Sequence, residues 1–298
     1  MFNTTELVDK LGYEKWVINE SLLTVKQANG TVSDRTIQFK IDGLINHSFM
    51  IKDSMGSNKS VSILEKLSPL VFVTSYKILD MIFEWILKEN CGRVPWQFAQ
   101  KINLYNELKQ NSNLRLPELI QDEQELLDIL FLLYEQLTVY RNQIIHGSWG
   151  SIINNGDLSF SFTKSDVLYE KEISFKEILN FSEAVTLFAN ELTTPSQNSP
   201  FVFTTTKYLL DKIPNLHFGT LFDVHKPFHY KVEYEANEIK IVDVQKINDH
   251  LQHQSYNYPY SFELIVISPQ KRWAFPWSYL KDVTKEINLD SQMDQYSI

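Results

Sequence analysis

Residues 70–87 are apolar on more sides than one face of a surface helix needs. Their apolar positions recur at spacings of three and four, which is the period of an α-helix. They are Val71, Phe72, Ile78, Leu79, Ile82, Phe83 and Ile86. A helix that is apolar over so much of its circumference is stable only inside a bundle of other helices. The segment therefore predicts a helical core in the middle of the chain.

The helical period continues on both sides of this segment, between about residues 60 and 192. Pro95 is suited to the first turn of a helix that continues toward Gln110, since proline lacks the N–H that a first helical residue leaves unpaired. Pro117 is suited in the same way to open a helix that runs to a stop at Gly147. Together these segments predict a bundle of four or five helices.

A β-hairpin and a last helix are predicted within the same region. Residues 158–163 and 167–173 alternate in hydropathy, which is typical of strands, and a turn sequence, Asn154-Asn155-Gly156, precedes them. Ser174 and Glu177 have the spacing of a capping box, which predicts a helix that starts there and ends at about Leu192. The hairpin is therefore an insertion in the helical region.

The N-terminal and C-terminal flanks read as smaller mixed segments. We expect a short N-terminal helix through Leu11, then strands at residues 16–19, 22–27 and 36–41, with Asn29-Gly30 as a hairpin turn. The sequence of residues 193–200 is typical of a linker. Beyond it we expect a helix at 206–213, strands at 218–224, 230–234, 238–244 and 262–267, and a terminal helix at 276–287.

The predicted fold class is α+β. A helical bundle with an inserted β-hairpin is flanked by a small N-terminal β unit and a C-terminal mixed α/β segment. The corresponding domains are residues 1–55, a small β-rich unit; 60–192, the helical domain; and 201–298, a mixed α+β domain.

Composition and missing motifs exclude several classes of function. A single cysteine, Cys91, excludes an internal disulfide framework and fits a reducing compartment. With neither a signal peptide nor a run of about 18–20 apolar residues, we expect a cytoplasmic protein without membrane contact. The glycine-dependent motifs of dinucleotide-binding, P-loop and α/β-hydrolase proteins are missing. A net charge of −9 argues against broad, non-specific affinity for nucleic acid, although not against a local basic cleft.

The end of the most hydrophobic predicted helix carries a rare combination of polar residues. Arg141 is one of only five arginines in the chain, and Asn142 follows it directly. Four residues separate Arg141 from His146, which precedes Gly147. A guanidinium on so apolar a helix is costly unless an anionic group meets it. The pair is therefore a candidate anion site.

This segment resembles the R-x4–6-H signature of HEPN domains (higher eukaryotes and prokaryotes nucleotide-binding), in its form with Asn after the Arg. Pro95, Phe98, Lys101 and Ile102, and an Ile-Ile-His-Gly ending, add to the resemblance, which covers about residues 60–192. It implies a metal-independent endoribonuclease of phage defence (abortive infection) or a toxin system. It also implies a homodimer with a composite active site, and Arg141, Asn142 and His146 as catalytic residues.

The chemistry is consistent with that resemblance. A guanidinium binds phosphate in a bidentate manner, and an imidazole transfers protons near neutral pH. RNA supplies its own 2′-hydroxyl nucleophile, so no cofactor and no metal is expected. Lys101, Tyr140 and Trp149 are candidate substrate-binding residues, and Tyr134 is a further aromatic that could line the cleft. Five positions on a straight helix are about 140° apart, so either the helix breaks near Gly147 or a second chain completes the site.

Other interpretations stay open. Arg141 is alternatively a structural residue paired with Asp80 or Glu84 of a neighbouring helix, and the chain a non-catalytic HEPN-like module that binds a partner or senses a nucleotide. An antitoxin or sensor partner is compatible with either function. A metal site at His217, Asp223, His225 and His229 is the weaker interpretation of those residues, because scattered histidines are more often structural.

Overall fold

The computed structural model describes residues 2–29, 31–39, 45–53, 65–147, 150–153, 156–164, 166–196, 198–216, 222, 224, 227–235, 241–255, 257–289 and 291–298, and no side chain at 19, 21–53, 150, 291 or 292. The fold is mixed α+β, as predicted. The chain divides into two compact units. The first holds residues 1–29, 55–195 and 205–224, and the second holds residues 30–54, 196–204 and 225–298.

This division differs from the predicted domain boundaries at the N-terminus and at residues 205–224, which belong to the first unit and not to a C-terminal domain of residues 201–298. Residues before position 30 belong to the helical unit, whereas the strands that follow belong to the other unit. The segment 1–55 is therefore not a unit of its own. Strand pairing over a long sequence separation produces this arrangement, and a local pattern does not reveal it.

Helix α1 (Thr4–Asn29) replaces the strands that the sequence predicts at 16–19 and 22–27, and that prediction is wrong. Leu7, Leu11, Glu14 and Ile18 are buried, with the spacing of one helical face. Apolar residues at 16–18 suggested alternation, but of these only Ile18 extends the buried stripe, and Trp16 is 58% exposed. Asn29, predicted to form a hairpin turn with Gly30, is instead the last helical residue, and strand β1 (Thr31–Phe39) follows; Gly30 lies outside the described residues.

Helix α2 (Ser68–Cys91) is the centre of the helical unit, as its apolar circumference predicts. It packs against α1, α4 (Gln124–His146) and α5 (Phe175–Thr193). Helix α3 (Phe98–Gln110) also contacts it. A 3-10 turn (Glu118–Ile120) belongs to the same unit, whereas α6 (Ser199–Asp211) begins in the second unit and ends in the first. Pro95 and Pro117 precede their helices by a few residues instead of opening them.

The predicted hairpin and capping box are confirmed. Strands β4 (Asp157–Lys164) and β5 (Val167–Ile173) pair antiparallel, and β3 (Gly150–Ile153) adds a third strand on the other side of β4. The Ser174 side chain accepts a hydrogen bond from the Glu177 N–H, and the Glu177 carboxylate accepts one from the Ser174 N–H at 3.1 Å. This reciprocal cap satisfies two donors that the helix start leaves unpaired.

The second unit is built on a five-stranded sheet in the order β2-β1-β6-β8-β9. Its further members are β2 (Ile45–Asp53), β6 (Phe228–Glu235), β8 (Tyr260–Ile267) and β9 (Arg272–Phe275). Strand β6 is parallel to both β1 and β8. The β6–β8 connection contains β7 (Ile241–Asp243) and α7 (Val244–Gln254), as a parallel crossover requires.

Two C-terminal predictions are wrong in part, and a third lies mainly outside the described residues. The predicted strand at 238–244 is wrong at its end, because the Asp243 side chain caps α7 by accepting from the Lys246 N–H. The predicted terminal helix at 276–287 is wrong beyond one turn, α8 (Trp277–Leu280), since β10 (Glu286–Asn288) pairs with β7 instead. A 3-10 helix (Ser291–Tyr296) follows β10. The strand predicted at 218–224 lies mainly outside the described residues.

Replacing Leu11 by Ala tests whether α1 is docked as a helix. Leu11 is fully buried, so we expect the free energy of unfolding to fall by about 2–4 kcal/mol in urea titrations. Val8→Ala is the matched control, because Val8 is 43% exposed on the same helix and its truncation is expected to change stability by less than about 0.5 kcal/mol. Equal effects of the two changes would contradict the docking of this face.

Candidate functional site

The Arg-Asn-x-x-x-His motif lies on the last turns of α4, and the helix is continuous to His146. Gly147 follows as the cap residue, with its N–H donating to the carbonyl oxygen of Gln143 at 3.0 Å. The backbone of Gly147 is extended, at φ −124°, and therefore not in the left-handed region that favours glycine. The helix stops where the sequence predicts, but without the left-handed cap that ends α2 at Gly92.

Arg141 is half-buried, and its guanidinium is held by two neutral groups. One Nη1–H donates to the Asn142 Oδ1 at 2.9 Å, and the Cζ lies 5.1 Å from the centroid of the Phe98 ring. The Nε is buried and has no acceptor among the described residues. Nor does any carboxylate of those residues form an ion pair with Arg141. Its hydrogen-bonding capacity and its charge are thus largely unused within the described part of the chain.

The carboxylates that could have neutralised Arg141 are bound to another cation. Lys101 Nζ lies 2.8 Å from Asp80 Oδ1 and 2.6 Å from Glu84 Oε1. The structural alternative, in which Asp80 or Glu84 pairs with Arg141, is therefore wrong. Both acids lie on α2, one helical turn apart, and Lys101 reaches them from α3.

Lys101, a predicted substrate-binding residue, lies inside the helical bundle. It is only 2% exposed, and two carboxylates surround its ammonium group. A buried ammonium needs such partners, because transfer of an unpaired charge from water into the protein interior is very costly. The lysine of the Phe98-x-x-Lys101 stretch is therefore engaged inside the bundle.

Two tyrosines extend this ion cluster toward Arg141. The Tyr134 hydroxyl donates to Asp80 Oδ1 at 2.7 Å, and the Tyr76 hydroxyl lies 2.6 Å from Thr138 Oγ1. Burial raises the pKa of Asp80, while Lys101 and the Tyr134 hydroxyl oppose that rise. Burial, and then the Asp80 charge, raise the pKa of Tyr134 well above its usual range. Tyr134 is therefore a neutral core residue and not a stacking platform.

Phe98 is the residue that brings the two cations together. Lys101 Nζ lies 4.8 Å from the Phe98 ring centroid, and Arg141 Cζ lies 5.1 Å from it. The two charges are consequently no more than about 10 Å apart, a separation at which like charges repel by about 1.7 kcal/mol at an effective dielectric constant of about 20. The ring offers both cations a negative face, which offsets part of that repulsion.

Tyr140, also a predicted substrate-binding residue, is buried as well. The residue is 8% exposed and makes edge-to-face contacts with Phe160, Phe162 and Tyr169 of the β4–β5 hairpin. Burial raises the pKa of Tyr140. Its role is to join α4 to the hairpin. The third candidate, Trp149, lies outside the described residues.

His146 is exposed at the end of α4, but on a different side of the helix from Arg141. Five residues of a continuous helix correspond to about 140° of rotation and about 7.5 Å of rise. One chain therefore does not present the guanidinium and the imidazole on a single stripe. Between the two alternatives that the spacing leaves open, the helix does not break before His146.

The sequence alone does not reveal that Phe98, Asp80 and Glu84 belong to one cluster with Arg141. A signal was present, because Asp80 and Glu84 are acids with i, i+4 spacing on a helix that is otherwise apolar. Such a pair requires a buried cation from another element. Lys101 and Phe98, three residues apart on α3, were the matching pair.

The histidine-rich region shows no metal centre in the described part of the chain. Among the residues there, no group of three or more His, Cys, Asp or Glu side chains is arranged to hold a metal ion. His229 Nδ1 lies 2.8 Å from Ser261 Oγ on the neighbouring strand. His217, Asp223 and His225 lie outside the described residues. Of the helices that are described, none combines the length and the apolar character that crossing a bilayer requires.

Lys171 is a second buried lysine close to the site. It lies on β5, with Nζ 3.3 Å from the carbonyl oxygen of Leu216 and 5.4 Å from the Tyr140 ring centroid. Burial lowers the pKa of Lys171 to about 8, and the charge of Glu177 opposes that shift. In the native protein this ammonium group therefore loses its proton at a lower pH than it does in the unfolded chain.

The pH dependence of stability tests the burial of Lys171. Between pH 8 and pH 9.5 the unfolded chain binds more protons at this lysine than the native protein, so the free energy of unfolding should rise with pH, by about 1–2 kcal/mol. Urea titrations stop at about pH 9.5, because unfolded-state tyrosines ionise near pH 10.

Lys171→Met should remove that rise, whereas Lys164→Met, at an exposed lysine of the same hairpin, should retain it. The contribution of Lys171 is the difference between wild type and variant, which also cancels the smaller effect of Lys15, whose pKa is lowered by burial. Identical pH profiles for wild type and Lys171→Met would contradict this account.

The chain was compared with protein-family models, with curated proteins and with solved structures, and none of them matches. The likeness to HEPN domains thus rests on the residues of the motif and on the helices around it. Its function is therefore inferred from the charges and contacts of the site itself.

Proposed function

We propose that this chain is a metal-independent HEPN-type endoribonuclease in which Arg141 binds the scissile phosphate of RNA. The observation that carries the proposal is the state of Arg141: it is half-buried, without a carboxylate partner among the described residues, and with an unused Nε–H. An arginine of this kind gains most by meeting an external anion. A phosphodiester provides the paired oxygens that fit a guanidinium fork.

Asn142 has a defined part in this proposal. Its Oδ1 accepts a hydrogen bond from Arg141 Nη1, which orients the guanidinium, and the other terminal nitrogen, Nη2, forms no hydrogen bond with the described residues. Asn142 therefore acts through Arg141 and is a positioning residue. The ring of Phe98 limits the same side chain from another direction.

The reaction is a transesterification within the RNA. The imidazole of one His146 takes the proton of the 2′-hydroxyl, and the 2′-oxygen attacks phosphorus. The bond between phosphorus and the 5′-oxygen breaks, and the imidazolium formed in the first step gives its proton to that oxygen. Arg141 stabilises the negative charge that develops on the phosphoryl oxygens. The products are a 2′,3′-cyclic phosphate and a 5′-hydroxyl.

Two copies of the chain are needed for this geometry. Because Arg141 and His146 point about 140° apart on one helix, we infer that a symmetric homodimer places His146 of one copy near Arg141 of the other. The HEPN resemblance implies the same composite site, with a setting in phage defence or a toxin system and an antitoxin or sensor as a possible partner.

A second candidate function is a non-catalytic helical module that binds a partner or senses a nucleotide. The continuous helix favours it, since one chain by itself does not assemble the pair. The formal charges of Asp80, Glu84, Lys101 and Arg141 also sum to zero, so the excess negative charge of the two acids balances the positive charge of Arg141 without direct contact. Under this alternative Arg141 binds an anion without cleaving it.

RNA cleavage in the presence of EDTA distinguishes the two functions. Purified wild-type protein should cleave total RNA or tRNA and leave 2′,3′-cyclic phosphates. Arg141→Gln and His146→Ala should each lower the rate by about 100-fold or more, because each removes a group that acts in the transition state. Arg93→Gln and His253→Ala, at exposed residues, are matched controls and should retain activity. Inactive wild type, or cleavage that survives both site changes, would contradict the enzyme.

Mixing inactive subunits tests the composite site. If Arg141 and His146 of one site come from different copies, dimers formed from Arg141→Gln and His146→Ala chains contain one intact site each. After dissociation and reassociation, the mixture should recover roughly a quarter of wild-type activity, as random pairing in a two-fold dimer predicts. A mixture as inactive as its components would show that each copy supplies both groups of its own site.

A further inference from the structure

Three charged side chains near Phe98, those of Asp80, Glu84 and Lys101, determine how strongly Arg141 attracts an anion. The Lys101 Nζ lies 2.8 Å from Asp80 Oδ1 and 2.6 Å from Glu84 Oε1, and the Lys101 side chain is only 3% exposed. One ammonium between two carboxylates leaves a net charge of −1 in this cluster. The Lys101 ammonium of this cluster and the Arg141 guanidinium meet at the same aromatic ring, within about 10 Å of each other. An external phosphate at Arg141 is therefore attracted by the guanidinium and repelled by the excess carboxylate.

We propose that Lys101 is an internal counter-cation that reserves Asp80 and Glu84, so that Arg141 stays available to an external phosphate, and that Glu84 weakens that binding by its excess negative charge. This inference rests on the proposed function, because it concerns the same anion site. It assigns Lys101 and Glu84 as residues that set the affinity of the site without touching the substrate.

Of the two acids in the cluster, Glu84 is the one whose charge can be removed with less disturbance of the fold. Asp80 is the more buried acid, with a side-chain exposure of 16%, and it is also bound by the Tyr134 hydroxyl. The Glu84 side chain is 30% exposed, and Lys101 provides its ion pair. Replacing Glu84 by Gln keeps the shape of the side chain and leaves Asp80 and Lys101 as a neutral pair. The fold should tolerate this change, because no buried charge loses its partner.

Single-stranded oligodeoxythymidylate of ten nucleotides is the probe, since it carries phosphodiesters but no 2′-hydroxyl and is not cleaved. Binding is measured by fluorescence anisotropy at about 0.1 M salt, where charges are screened over about 10 Å. Glu84→Gln should tighten binding about two- to fivefold, the size expected for one partly screened charge at this range. Arg141→Gln should remove binding in the wild type and the gain in the Glu84→Gln background.

Asp128→Asn is the matched control. It removes the same charge from a carboxylate that is also paired with a lysine, at 2.7 Å from Lys109 Nζ, and so changes the net charge equally. Asp128 lies thirteen residues before Arg141 on α4, which corresponds to about 20 Å along the helix, beyond the screening length of physiological salt. Its replacement should leave binding unchanged within about 1.5-fold.

The triple change Asp80→Asn, Glu84→Gln and Lys101→Met separates a reserving role from a direct one. It removes all three charges together, so no unpaired charge is left buried. If Lys101 only reserves the acids, the triple variant binds the probe at least as tightly as the wild type. If Lys101 contacts the phosphate itself, binding falls, and the proposal is overturned. Lys101→Met alone exposes Arg141 to two carboxylates and should bind more weakly than the triple variant.

The outcomes distinguish this inference from the proposed function. If the variants bind the probe with the affinities expected above but the protein does not cleave RNA, the counter-cation role of Lys101 is supported and the proposed ribonuclease activity is contradicted. RNA cleavage together with equal affinities for Glu84→Gln and Asp128→Asn contradicts the counter-cation and leaves the enzyme. Probe binding that Arg141→Gln does not change overturns both. Thermal unfolding of each variant, followed by circular dichroism, verifies that the compared proteins are folded.

Discussion

The ammonium group of Lys101, held between Asp80 and Glu84, is the interaction on which the rest of the site depends. A bundle built around the apolar helix α2 can bury charge only if opposite charges meet inside it. Since Lys101 satisfies both acids, Arg141 reaches the same aromatic cluster without a carboxylate partner among the described residues. The half-buried guanidinium is thus a consequence of how the neighbouring charges are paired, and the anion affinity that we propose for it follows from that pairing.

Elements with a strong local signal could be predicted from the sequence. The apolar circumference of residues 70–87, the β4–β5 hairpin and the Ser174–Glu177 cap are examples, since each depends on residues a few positions apart. Helix α1 was predicted only as far as Leu11, because its buried face then includes Glu14, a charged residue that interrupts the apolar stripe. The pairing of β1 with β6 joins residues nearly 200 positions apart, and no local pattern specifies such a register.

The candidate site shows the same division between local and long-range information. The sequence located Arg141, Asn142 and His146 at the end of one helix, and the structure places them there. It did not distinguish a lysine or tyrosine that faces a cleft from one that faces the core. Lys101 and Tyr140 are buried because partners on α2 and on the hairpin satisfy them, and these partners are brought near only by folding. Residue type alone therefore overestimated the substrate-binding surface.

The most direct test of the central claim is a crystal structure of the protein with a short RNA in which the 2′-hydroxyl at the cleavage position is replaced by hydrogen. The account predicts a phosphate oxygen within about 3 Å of the Nε or a terminal nitrogen of Arg141, with Lys101 still bound to Asp80 and Glu84. An Arg141 guanidinium paired instead with a carboxylate of its own chain, and no phosphate beside it, would contradict the account.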